Sequence, residues 1–175
     1  MTAIEINALL NRLPDLQGGK MPAIDANLST ELVQTFLKGG KAAITGLIDT
    51  LREVDNGSDW KARFLVTTLV SSVGTPGQES QRQLLAAILL DEATGGRPES
   101  VRIFLLARLR LITGKDAVAK LIALLAADKP QLNDAAAAGL VSIGSPAKEP
   151  LSEALKTAQG RRKEVIENAL AQIAL

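Results

Sequence analysis

The sequence predicts an all-α fold: a solenoid of about four stacked helix pairs behind an irregular helical N-terminal cap. Three observations carry this expectation. Of the 175 residues, 46% are hydrophobic but only 2% are aromatic, with Trp60, Phe36, Phe64 and Phe104 the whole aromatic set. A core of Leu, Ile, Val and Ala, dominated by Ala and Leu and poor in aromatics, favours helix over strand. Glycines and prolines punctuate the chain at short intervals, and between them the apolar residues recur at helical spacing. The same register returns in successive segments, as a repeat array requires.

Taken in order, residues 3–13 carry an apolar stripe at Ile6, Leu9, Leu10 and Leu13, and Pro14 closes it. Residues 15–28 contain Gly18, Gly19 and Pro22 and read as a loop. Ser29 or Thr30 is placed to cap a short helix through Phe36 and Leu37, stopped by Gly39 and Gly40. From Lys41 the pattern becomes regular. Ile44, Leu47, Ile48 and Leu51 share one helical face, and Asp55, Asn56 and Gly57 break it. Ser58 or Asp59 is placed to cap the next helix, which runs to Gly74. A helix with Leu84, Leu85, Ile88 and Leu89 inward follows and ends at Gly95 and Gly96. Pro98 opens a helix through Ile112, because a first-turn proline lacks only an N–H that had no helical partner. Gly114 leads a helix to Ala127, and Pro130 opens another that ends near Gly144. Ser145 and Pro146 start the next helix, and Gly160 separates it from the last.

These helices pair at about 40–74, 77–113, 114–144 and 145–175, leaving 1–39 as the cap. In the first helices Leu47, Thr50 and Leu51 correspond to Leu85, Ile88 and Leu89, to Leu121, Leu124 and Leu125, and to Leu151, Ala154 and Leu155. In the second helices Arg63, Val66, Val70 and Val73 correspond to Arg102, Leu105, Leu109 and Ile112. The same register continues at Asn133, Ala136, Leu140 and Ile143, and at Lys163, Ile166, Leu170 and Ile173. Each pair buries its apolar faces only by stacking on its neighbours.

The second-helix pattern resembles the HEAT repeat and its bacterial HEAT-like (armadillo-type) variants over about residues 40–175. Val101 and Arg102 match the apolar–arginine start of that pattern, and Ala135 to Ala138, Leu140, Ile143 and Gly144 match its remainder. Arg63 with Val73 and Gly74 matches in part, while Lys163 with Leu170 and Ile173 keeps only charge and apolar spacing. The resemblance implies a right-handed αα superhelix and, as the commonest role, a non-catalytic protein–protein interaction or scaffold module. Because Asn133 replaces the expected arginine, a hydrogen-bonded ladder between neighbouring repeats is expected to be interrupted there. The resemblance also implies two alternatives: a nucleic-acid-binding module, since HEAT-like proteins include DNA-binding and base-excision members, and a role related to the HEAT-like lyases that attach bilin chromophores.

Composition narrows the chemistry. Lys and Arg number 20 against 19 Asp and Glu, so no global charge draws the chain to nucleic acid or to an anionic membrane. The absence of Cys and His removes the thiolate nucleophile and the commonest neutral-pH base and metal ligand. No catalytic residue, metal site or cofactor is assigned, and the expectation is not an enzyme. Another protein is the expected partner; nucleic acid and membrane insertion are not. Glu5 and the lack of a basic flank before an apolar run argue against a secretory signal, and the reading is a cytoplasmic chain.

Four residues are singled out. Trp60, in the first turn of a second helix, either packs under the 55–57 loop or anchors a partner. Arg63, Arg102 and Lys163 share the consensus position, where each is a structural donor or part of a basic face. A phosphate track from Arg63, Arg102 and 161–163 would need these charges to be free. Asp91, Glu92, Glu149, Glu153, Glu164 and Glu167 read as solvated carboxylates, and the GGK runs at Lys20 and Lys41 lack the remainder of a phosphate loop. Gly139 within an alanine-rich helix marks a crowded helix contact.

Overall fold

The structure is a computed structural model, and it describes residues 1–53 and 57–174. The expected break at Asp55 and Asn56 lies outside the described residues. The chain is all-α, with helices α1 (Ala3–Leu10), α2 (Ala26–Ile48), α3 (Trp60–Val73), α4 (Glu79–Thr94), α5 (Glu99–Leu109), α6 (Val118–Leu124), α7 (Pro130–Ile143), α8 (Ser145–Leu155) and α9 (Gly160–Ala174). A 3₁₀ turn, Lys115–Ala117, precedes α6. Two compact units, 1–88 and 89–175, divide the chain within α4. No helix among the described residues is long and apolar enough to cross a membrane.

In the first unit, α1 opens with a reciprocal cap: Glu5 N–H donates to the Thr2 hydroxyl at 3.3 Å, and Thr2 N–H donates to the Glu5 carboxylate at 2.7 Å. The bond from the Thr2 backbone holds the Glu5 carboxyl below its ordinary range. α1 lies against α2, with Ile6 and Leu10 buried, and Leu13 beyond its end is buried too. The seat is Gly46, where an added Cβ would overlap the Ile6 side chain. Gly46→Leu, whose bulk a turn of the Ile6 δ-carbon alone does not absorb, is therefore expected to lift α1 from α2 at a cost of about 1–3 kcal/mol. Hydrogen exchange should then accelerate over residues 3–10 while α7 keeps its protection.

The second helix begins earlier than Ser29 or Thr30. Asp25 is its cap, accepting from Asn27 N–H at 2.7 Å and Leu28 N–H at 2.9 Å, and Thr30 is spent on the Ala26 carbonyl instead. Nor does the helix stop at the glycine pair. Gly40, at φ 59° and ψ −150°, breaks the helical geometry within a single element that continues to Ile48. A residue with a Cβ rarely adopts that positive φ, so the kink depends on glycine. Beyond it, Ile44, Leu47, Ile48 and Leu51 are all buried, as their shared face requires, and α2 packs against α3. In α4, Leu85, Ile88 and Leu89 are buried, but Leu84 is 40% exposed. Successive helical residues point about 100° apart, so Leu84 falls off the face that Leu85 occupies.

The second unit shows the repeating arrangement most plainly. α5 packs on α7 and α7 on α9, while α6 packs on α8; α6 also lies on α7 and α8 on α9. Two layers of helices thus share one aliphatic core, with Val101, Leu105, Leu132, Ala136, Leu140 and Ile166 among its buried residues. Gly139 is buried where α7 meets α6, and an added Cβ there would stand 3.1 Å from Leu121 Cδ1. Exposed ion pairs run between successive pairs: Lys120 to Asp91 at 2.6 Å, Lys129 to Glu99 at 3.0 Å and Arg161 to Asp134 at 2.8 Å. The register weakens in the last pair. Leu151 and Ile166 remain buried, but Ala154, Leu155, Leu170 and Ile173 are only half-buried.

Candidate functional site

The candidate site is built on a buried charge pair in the first unit. Asp59 flanks the start of α3 and is 4% exposed. Its carboxylate makes no capping bond to the helix. It accepts instead from the Arg52 backbone N–H at 2.8 Å and from Arg63 Nε at 2.9 Å. Arg63 Nη2 then donates to the Arg52 carbonyl at 3.2 Å. A carboxylate this deeply buried needs a charged and hydrogen-bonded partner, and Arg63 supplies it through a charge-assisted bond. The consequence is positional: both main-chain polar groups of Arg52 are fixed from the same side.

Arg52 is exposed, and its side chain lines two open clefts. One, about 710 Å³, runs between α1 and the second half of α2; its apolar wall includes Ala3, Ile6, Ala42 and Gly46. The other, about 450 Å³, lies between the end of α1 and the start of α3; it includes Asn7, Asn11, Thr50, Ser58 and Trp60. Asn7, Thr50 and Arg52 line both clefts and therefore mark their seam. Trp60 is half-buried in the second cleft, with its ring centroid 6.4 Å from that of Phe64 at an interplanar angle of 56°. That tilted geometry is a favourable aromatic contact, and it holds the indole on one side while leaving part of it exposed.

The consensus position of the second helices has a definite structural use. Arg63 reaches the Arg52 carbonyl just beyond α2; Arg102 Nε donates to the Ala93 carbonyl of α4 at 2.7 Å. Asn133 donates through its amide nitrogen to the Leu124 carbonyl at 2.8 Å and the Ala127 carbonyl at 3.0 Å, at the end of α6. The last carbonyls of a helix have no partner within it, and these side chains supply one. These bonds therefore run back to the preceding helix of the same pair. Asn133 continues the pattern rather than interrupting it, because at 5% exposure its short amide already lies against α6 and serves two carbonyls. Lys163 departs from it: it is exposed and sits 3.8 Å from Glu167.

Of the residues considered for a basic track, Arg63 and Arg102 are hydrogen-bonded as above, Arg161 is paired with Asp134 and Lys163 sits near Glu167, whereas the Arg162 Nε has no hydrogen-bond partner among the described residues. Arg108 lies over the Phe104 ring at 5.2 Å, apart from the consensus position. Among the acidic residues, Asp91 meets Lys120 and Glu92 meets Arg97 at 2.7 Å. Among the described residues, no group of three or more His, Cys, Asp or Glu is arranged to hold a metal ion.

Arg52, Asn7 and Asn11 were not legible as site residues. Arg52 sits in a linker remote in sequence from α1, so only the folded unit brings them together. The two asparagines, one turn apart beside Ile6 and Leu10, are the one local signal of a polar face beside an apolar one. No family model matches the chain, and no curated protein matches it in sequence.

Proposed function

We propose that this chain is a non-catalytic protein-binding or scaffold module of the HEAT-like helical-repeat type, with a right-handed superhelical arrangement of its pairs. Its partner contact is the groove beside Trp60. The observation that carries this reading is the half-buried indole, held by Phe64 at the edge of an open polar cleft. A rigid amphipathic ring in such a setting is the kind of residue on which interface energy concentrates. The nucleic-acid alternative has less support, because Arg63, Arg102 and Arg161 are each already hydrogen-bonded within the fold.

Affinity capture from the cell of origin, with wild type and Trp60→Ala side by side, tests the reading. The expected result is a discrete protein partner whose recovery falls at least about tenfold with Trp60→Ala, as for an interface anchor. Equal recovery by the two proteins would remove Trp60 from the interface.

A further inference from the structure

The chemistry of the groove defines what it would take. Of the charged side chains that line the two clefts, Asp15 is paired with Lys61 at 2.6 Å and Asp59 with Arg63 at 2.9 Å. Lys41 and Asp49 have interactions of their own. Among the described residues, the Arg52 guanidinium has no hydrogen bond or ion pair; only its backbone is used. An unpaired cation thus stands at the seam between an apolar wall and a tryptophan, on a main chain clamped by a buried ion pair.

We infer that this groove receives a segment of a partner protein that presents a carboxylate beside a large apolar side chain, with Arg52 binding the carboxylate. The inference rests on the protein-binding function proposed above. The planar guanidinium matches a carboxylate through two parallel N–H donors. The wall formed by Ala3, Ala42 and Gly46 receives the apolar side chain, and Asn7 and Asn11 supply lining amides for the segment's backbone. A polymer segment fits better than a small molecule. The two clefts are open and adjoin at Asn7, Thr50 and Arg52, so an occupant that spans both is extended, as a chain segment is. The clamp on Arg52 lowers the ordering cost of binding, since the backbone that carries the guanidinium is fixed beforehand.

Trp60 is the single tryptophan of the chain and lines the second cleft, so its fluorescence reports occupancy. The full chain is titrated with acetyl-Gly-Ser-Gly-Leu-Leu bearing a free terminal carboxyl and with its amidated form. A second pair places the carboxylate internally: acetyl-Gly-Leu-Glu-Leu-Gly-amide and its Gln counterpart. The expected result is a saturable change with at least one carboxylate peptide and binding at least about tenfold weaker by its neutral counterpart. Whichever pair shows the preference identifies a chain terminus or an acidic side chain as the source. Arg52→Gln should abolish that preference without moving the melting temperature, because the clamp uses only main-chain atoms of Arg52. Arg52→Lys should restore part of it, keeping charge but not the fork.

Equal binding of acid and neutral peptides, or a preference indifferent to Arg52→Gln, would overturn the inference. Arg52-dependent binding of octanoate with no binding of either peptide would overturn it in favour of a small amphiphile. If neither peptide binds while capture still depends on Trp60, only this inference fails. If capture is indifferent to Trp60, the proposed contact fails independently of the peptide result.

Discussion

Arg63→Met is expected to destabilise the first unit by about 3–5 kcal/mol. The substitution leaves the Asp59 carboxylate 4% exposed with only the Arg52 N–H to receive, and strips the Arg52 carbonyl of its donor. A buried charge without its counter-ion is far costlier than the intact pair is favourable. The double variant Asp59→Asn, Arg63→Met should therefore recover much of the loss, since it leaves no buried charge. Urea unfolding followed by Trp60 emission measures this locally, because Trp60 belongs to the same unit. Additive losses in the double variant would mean that the two side chains act independently.

Asn133→Asp should be the most damaging substitution in the second unit. The native amide donates to two carbonyls at the end of α6, whereas an ionised carboxylate at 5% exposure would face both with no proton to offer. Two carbonyls left without a donor cost about 1–3 kcal/mol each, before the charge is counted. The variant carboxyl is expected to titrate above its unfolded value in the folded chain, because burial and the facing carbonyls disfavour its charged form. Its relative stability is then greatest below the unfolded value, near about pH 4, and is lost as pH rises through the folded value. Asn133→Leu should show a loss independent of pH over that range. Hydrogen exchange across residues 118–143, followed at pH 4 and pH 7, separates the two; identical pH dependence would contradict the assigned role of the amide.

Both predictions concern positions the sequence marks, and the reason it marks them without explaining them is physical. Apolar periodicity and glycine–proline punctuation are local, so the order of the helices, the buried faces of α3 and α7 and the contact at Gly139 could be read directly. The partner of a polar side chain is not local. Asp59 sits where a helix cap is expected, yet its carboxylate turns to Arg63 and to the backbone of Arg52, a choice made by packing between α2 and α3. Asn133 departs from the consensus in chemistry but performs the same task, because the task is satisfying carbonyls and an amide suffices. Asp25 replaces Ser29 and Thr30 as the cap for a similar reason: two backbone N–H groups converge on it. The groove was the least legible feature. It forms only when α1 seats on Gly46 and brings Asn7 and Asn11 beside Arg52 and Trp60.

Arg63, Arg102 and Asn133 therefore hold pairs of helices together, and the surface we propose for recognition lies elsewhere, along α1 and Trp60. Site-specific photo-crosslinking in the cell of origin tests that division most directly, with a benzophenone side chain placed at Asn11 in the groove or at the exposed Ser152 on α8. The account predicts a discrete protein adduct from Asn11 that disappears with Trp60→Ala, and none of the same species from Ser152. An adduct with nucleic acid at Asn11, or the same protein adduct from Ser152 irrespective of Trp60, would contradict it.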